Sequence, residues 1–255
     1  MPEAEFGGTE TFWQAWGSGR RAVAVHCSLA HSGAWDGLAN ALADVLHMHA
    51  IDLPGHGRSG PWDAGRDIMD QTVAMVLGLI GDAPADLVGH SFGAVACLRV
   101  AVERPDLVRS LVLYEPVFFA AAAAEGFDTA APFAAFAEAM ARGDREAAAR
   151  VFTTLWGTGG RWDDLPVRQR AALAARIHLI PAANAALHAD DAGLLAPGRL
   201  ERAAMPALLL EGSASPPVIP AINAALARRL PAARRETLPG AGHMGPVTHP
   251  AAVAA

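Results

Sequence analysis

DLVGHSFGAVACLRVAVE, residues 86–103, decides the fold. Residues 86–89 form a short, mostly apolar run that predicts a buried strand, and from Phe92 to Glu103 apolar side chains recur at helical spacing. Between them lies a tight turn, Gly89-His90-Ser91-Phe92-Gly93, which fits G-x-S-x-G. A serine hydroxyl is a weak nucleophile unless it is exposed and set beside a base. A sharp strand-to-helix turn exposes its Oγ, and glycine on either side removes the Cβ atoms that such a turn has no room for. The five-residue pattern is weak alone, because Gly and Ser are common. Its position between a strand and a helix gives it weight against the alternative, a glycine-rich turn with an idle serine.

Outward from this turn, short apolar runs alternate with helical patterns, which argues for a mostly parallel sheet covered on both faces. Residues 21–26 (RAVAVH), 47–53, 108–114 (VRSLVLY), 206–210 (PALLL) and 235–238 read as further strands. Residues 34–45, with Leu38, Leu42 and Val45 on one stripe, read as a helix, as do residues 70–80 and 219–230. Pro54-Gly55-His56-Gly57 is a turn. Residues 117–204 differ in texture: rich in Ala, Arg, Phe and Asp, helical in spacing and without a convincing strand. That stretch reads as a helical cap inserted between core strands, with residues 1–116 and 205–255 forming the core.

Two more segments carry chemistry. Gly240-Ala241-Gly242-His243-Met244 follows the last expected strand, and a histidine on such a loop can reach Ser91 and accept its proton. The chain holds ten histidines, so the order is what matters: nucleophile first, base last, helical insertion between. His26-Cys27-Ser28-Leu29 follows the first core strand. Acyl transfer needs N–H donors for a developing oxyanion, and the backbone of Ser28 and of Phe92, just after the nucleophile, are the candidates.

With these segments in place the chain resembles, over essentially its whole length, the α/β-hydrolase superfamily. The matching parts are HCSLAHSGAW (26–35), DLPGHGRS (52–59), GHSFG (89–93) and GAGHMGPVTHP (240–250). It is most similar to small capped bacterial members: carboxylesterases, ester hydrolases acting on acyl carriers, and carbon–carbon bond hydrolases. The resemblance implies a mainly parallel eight-stranded sheet, a helical cap over the site, a catalytic triad and no cofactor.

Three departures stand out. Cys27 replaces the glycine that often follows the histidine of the oxyanion loop. Ser215, in Gly212-Ser213-Ala214-Ser215-Pro216, stands where relatives place the triad aspartate, and a neutral hydroxyl cannot offset imidazolium charge. Glu115, at the end of the strand 108–114, is the leading replacement, since some members carry the acid after this earlier strand and the longer side chain extends its reach. Glu211 is the rival, and a triad without an acid is the third reading. Finally, only AAVAA follows His249-Pro250, too few residues for a stable isolated helix, so a frayed end is expected.

Composition narrows the remaining classes. The net charge is −6 and all basic residues are arginine, with no basic patch to meet phosphates, so nucleic acid is not an expected partner. No apolar run reaches the ~18 residues of a membrane span. The polar start MPEAEFGGTE lacks a signal-peptide core, which reads as a soluble, cytoplasmic protein. Cys27 and Cys97 read as two reduced, partly buried thiols. His47 and His49 lack the further ligands a metal site needs, so no metal is expected. Asp52 reads as a structural residue of its turn.

The expected function is hydrolysis of an ester or similar acyl compound, with Ser91 as nucleophile, His243 as base and Glu115 as acid. Phe118, Phe119, Phe133, Phe136 and Phe152 predict an apolar cap underside and a partly hydrophobic small-molecule substrate, with Leu29 and Met244 lining its pocket. The alternatives are a carbon–carbon bond hydrolase or lyase, for which any of several cap arginines is a candidate carboxylate holder, and a non-catalytic small-molecule binder on the same scaffold.

Overall fold

A computed structural model describes residues 3–255. Eight strands form one sheet: β1 (Glu3–Phe6), β2 (Thr9–Trp16), β3 (Arg20–Val25), β4 (Leu46–Ile51), β5 (Ala85–His90), β6 (Val108–Tyr114), β7 (Ala207–Gly212) and β8 (Ala233–Leu238). Their order is β1-β2-β4-β3-β5-β6-β7-β8. The pairs β1–β2 and β2–β4 are antiparallel and all others parallel. The central strand β5 is buried along its whole length, as a strand covered on both faces must be.

The helices, in chain order, are α1 (Asp36–Ala41), α2 (Ile68–Ile80), α3 (Phe92–Glu103), α4 (Phe119–Ala123), α5 (Ala134–Ala141), α6 (Arg145–Trp156), α7 (Val167–Arg176), α8 (Leu179–Ala182), α9 (Asn184–His188), α10 (Val218–Ala227), α11 (Gly245–Thr248) and α12 (Pro250–Ala254). Helices α4–α9 form the insert between β6 and β7. The insert has a small core of its own, in which Phe136, Ala148, Ala149, Trp162 and Ile177 are buried together. No helix among the described residues is long and apolar enough to cross a membrane.

Register brings the functional loops together. Val25 pairs with Gly89, His90 with Tyr114, Tyr114 with Leu210, and Gly212 with Leu238. The carboxyl ends of five adjacent strands therefore finish along one edge, each leading into a segment singled out above. The chain leaves β3 for β4 on one side and returns to β5 on the other, and ligands of open α/β sheets bind at such a switch point.

Several expectations need correction. Strands β1 and β2 were not anticipated in the polar N-terminal segment. They are joined through Gly7 and Gly8, both at positive φ, with Phe6 opposite Thr9. A Gly-Gly pair between two short runs is the hairpin signal that would have revealed them. The helix expected over 34–45 is a 3-10 turn at Ser32–Trp35 followed by the short α1, and Val45 is exposed rather than on a buried stripe. The last residues are not frayed: α12 forms, because Val253 and Ala254 pack against the buried cluster around Trp35 and Leu38. Tertiary packing supplies what an isolated five-residue helix lacks.

Candidate active site

Ser91 sits between β5 and α3 with φ 57° and ψ −118°, a conformation costly for any residue with a Cβ. The turn closes this tightly because its glycines touch backbone. A Cβ on Gly89 would lie 2.4 Å from the Ala94 Cα, and one on Gly93 would lie 2.2 Å from the Val25 oxygen. Among the described residues the non-glycine positions at positive φ are Leu29, Ser91, Glu115 and Asp190. Three of these four belong to the segments at the carboxyl edge, so backbone strain gathers there.

His243 lies on the loop between β8 and α11, and its Nε2 is 3.0 Å from Ser91 Oγ. Its Nδ1 is 2.7 Å from Glu115 Oε2. Donation from Nδ1–H to the carboxylate leaves Nε2 as the acceptor for the serine hydroxyl, so the network assigns the tautomer. All three side chains are buried.

Glu115 is the first residue after β6, and its fully buried carboxylate reaches across to the end of β7. Oε1 accepts from the Gly212 N–H at 2.7 Å and from the Ser215 hydroxyl. With His243 this makes three donors, which compensate the burial of the carboxylate. Ser215 thus acts as a donor to an acid that comes from the neighbouring strand. Glu211 is engaged elsewhere: its carboxylate accepts from Arg235 at 3.0 Å and from Asn223 at 2.7 Å.

The base loop is fastened by two groups that sequence reasoning missed. Tyr114 donates its hydroxyl to the Gly242 carbonyl at 2.7 Å, and His90 Nε2 lies 2.8 Å from the His243 carbonyl. Both residues end the strands that carry Ser91 and Glu115, so one rigid edge sets all three groups. The second position of G-H-S-F-G, next to the serine, was the only available signal for His90. Trp156, on α6, sets its ring 4.7 Å from that of His243 and covers it from the insert.

The oxyanion candidates lie where the loops meet. Among the described residues, no turn or loop hydrogen bond uses the N–H of Ser28 or of Phe92 as a donor. Ser28 shares a cavity wall with Ser91, and Phe92 opens α3 next to it. The Ser28 loop is held by two buried histidines: His56 Nε2 accepts from the Leu29 N–H at 3.0 Å, and His26 Nε2 from the Leu53 N–H at 3.1 Å. Asp52 braces the same region, accepting from the Ser32 and Arg58 N–H groups at 2.6 and 2.7 Å. Cys27 fits in the loop as a buried thiol, pushed up to about 12 by desolvation, and stays protonated.

Burial lowers the pKa of His26 and His90, and brings that of His56 to about 4. An unfolded chain holds these groups near 6.5, so below roughly pH 6.5 it binds more protons than the folded one, down to about pH 4 in the case of His56. Stability therefore falls as pH drops through this window, by up to about 1.4 kcal/mol per pH unit for each histidine. Thermal unfolding followed from pH 7.5 to 5 should show a falling Tm; a flat Tm over that range would contradict neutral burial.

Two cavities open at this edge. One, of about 710 Å3, holds Ser91 under Phe119, Phe133, Phe136 and Phe152, with Thr129, Asn184 and His188 as its polar insert residues. Phe118 is a core residue, fully buried beneath it. The other, of about 600 Å3, is lined by Leu29 and Met244. Ser28, Phe152 and Trp156 line both. His47 and His49 stand in ring contact on β4, and no cluster of three or more metal-ligating side chains occurs among the described residues.

Comparison with known proteins assigns this architecture. The family model described as "Alpha/beta hydrolase family" matches residues 22–255. The chain belongs to the α/β-hydrolase family. Among solved structures it is similar to the enol-lactonase from Burkholderia xenovorans LB400, with a TM-score of 0.78 at 22% identity over 99% of this chain and 96% of the other. A second is an α/β hydrolase from Sphaerobacter thermophilus, at 0.74, 23% identity and 99% and 97% coverage. Among curated family relatives, the lipase LipV of Mycobacterium tuberculosis is 40% identical over 99 residues, 38% of this chain and 37% of that one. The pimeloyl-[acyl-carrier protein] methyl ester esterase of Nitrosomonas europaea is 34% identical over 97 residues, again 38% and 37%. The aligned part thus spans little over a third of either curated relative.

Proposed function

We infer that the protein hydrolyses an ester, or a similarly activated acyl compound, through an acyl-enzyme on Ser91. The observation that carries this reading is the unbroken chain from Glu115 through His243 to Ser91, ending in an apolar cavity. Ser91 Oγ attacks the carbonyl carbon while His243 Nε2 takes its proton. Glu115 fixes the ring and offsets the imidazolium charge that forms. The N–H groups of Ser28 and Phe92 receive the oxyanion. His243 then gives the proton to the departing alkoxide. Water then attacks the acyl carbon and loses a proton to His243, which returns it to Ser91 Oγ as the acyl–oxygen bond breaks and the acid departs. The relatives described as a lipase and as an esterase support this class of chemistry.

Residues 117–204 serve in this reading as a lid that supplies the apolar roof and excludes water. The substrate is then a partly hydrophobic small molecule, with Leu29 and Met244 in contact with the half that leaves. A panel of p-nitrophenyl esters of graded chain length tests the proposal. Turnover favouring medium acyl chains over acetate is expected; failure to turn over any of them would overturn it.

A further inference from the structure

Ser28 stands on the wall between the two cavities, so an ester bound there extends one half into each. Ser91, which would hold the acyl group, lines only the first cavity. Met244 follows the base that returns a proton to the leaving oxygen, and it lines only the second. In the hydrolase reading the first cavity is therefore assigned the acyl half and the second the alcohol half.

The second cavity has a charge character of its own. No aspartate or glutamate lines it, but Arg176, the last residue of α7, does, with Gln169 one face of the helix below. Seven arginines lie between residues 142 and 176 of the insert. Arg142 sits 4.0 Å from Glu138, and Arg150 and Arg170 share Asp163 at 3.9 and 3.8 Å. Arg145, Arg161 and Arg168 are exposed to water. Arg176 is half-buried and, among the described residues, has neither an ion-pair nor a hydrogen-bond partner. A guanidinium drawn partly out of water without a counter-charge is an incomplete arrangement, and a carboxylate completes it with two parallel hydrogen bonds.

We propose that Arg176 anchors a carboxylate on the alcohol half of the substrate, making the preferred substrate an ester of an apolar acid with an anionic alcohol. The proposal rests on the hydrolase reading above and adds the charge of the leaving group. The test compares 4-(butanoyloxy)butanoate with its neutral isostere 4-(butanoyloxy)butanamide, in wild type and in Arg176→Gln. Wild type should favour the carboxylate by about tenfold or more in kcat/KM. The variant should lose that preference, hydrolysing the two esters at rates within about twofold of each other. Equal rates on the two esters in wild type, or a preference that survives in Arg176→Gln, would overturn the anchor. So would a preference for a carboxylate on the acyl half, read with monobutyl adipate. Calorimetric titration of Ser91→Ala with the same pair reads the anchor without turnover. Charge-selective binding that Arg176→Gln abolishes, with no wild-type turnover of any ester, would keep the anchor and sink the hydrolase reading.

Discussion

Ser91→Ala should lower ester turnover by roughly 10^4-fold or more, down to the contribution of binding and the oxyanion donors alone. The loss is expected in kcat, with substrate affinity nearly kept, because alanine removes one oxygen from a site whose walls are otherwise intact. The turn itself should survive, since among the described residues Ser91 Oγ is held only by His243 and the strained φ is imposed by the contacts of Gly89 and Gly93. Circular dichroism and Tm close to those of wild type separate loss of chemistry from loss of fold. Residual activity within tenfold of wild type would mean that another group is the nucleophile.

Glu115→Gln should cost about 10^3- to 10^4-fold in kcat. Glutamine keeps the shape but can present its amide N–H₂ to His243, which then turns its Nδ1 lone pair toward the amide. That tautomer leaves Nε2 protonated and unable to accept from Ser91 Oγ, now 3.0 Å away. The charge that offsets the imidazolium is also gone. Ser215→Ala removes one of the three donors to the carboxylate and leaves its bond to His243, so its effect should stay within about tenfold. The contrast between these two variants is the useful measurement. A large loss at Ser215 with little at Glu115 would reverse the roles assigned to them.

Much of this was open to reading in the sequence because its cause is local. The strands β3 to β7 lie in largely apolar runs bounded by turn residues, whereas the polar, exposed edge strand β8 showed only as the short segment 235–238, and the Ser91 turn carries its own glycines. Glu115 stood out because residue 215 offers no carboxylate and the strand end before it does. The bond of Ser215 to Glu115 joins residues 100 apart and follows from the register of β6 on β7, which no local pattern encodes. The same holds for Tyr114 and His90, whose partners are carbonyls on the base loop, 128 and 153 residues away. Strands β1 and β2 escaped notice because their alternation is carried by Thr, Glu and Gln as much as by apolar residues. The arginines of the insert look alike in sequence; packing alone places Arg176, unlike the others, on the wall of the second cavity.

The central claim is an activated serine at position 91, and it can be tested without knowing the substrate. Diethyl p-nitrophenyl phosphate phosphorylates a serine hydroxyl only when a base has made it nucleophilic. Intact-mass spectrometry after incubation should show one diethylphosphoryl adduct, mapped to the peptide containing Ser91. It should be absent in Ser91→Ala and form far more slowly in Glu115→Gln. An unmodified wild-type protein, or an adduct on any other residue, would contradict the account.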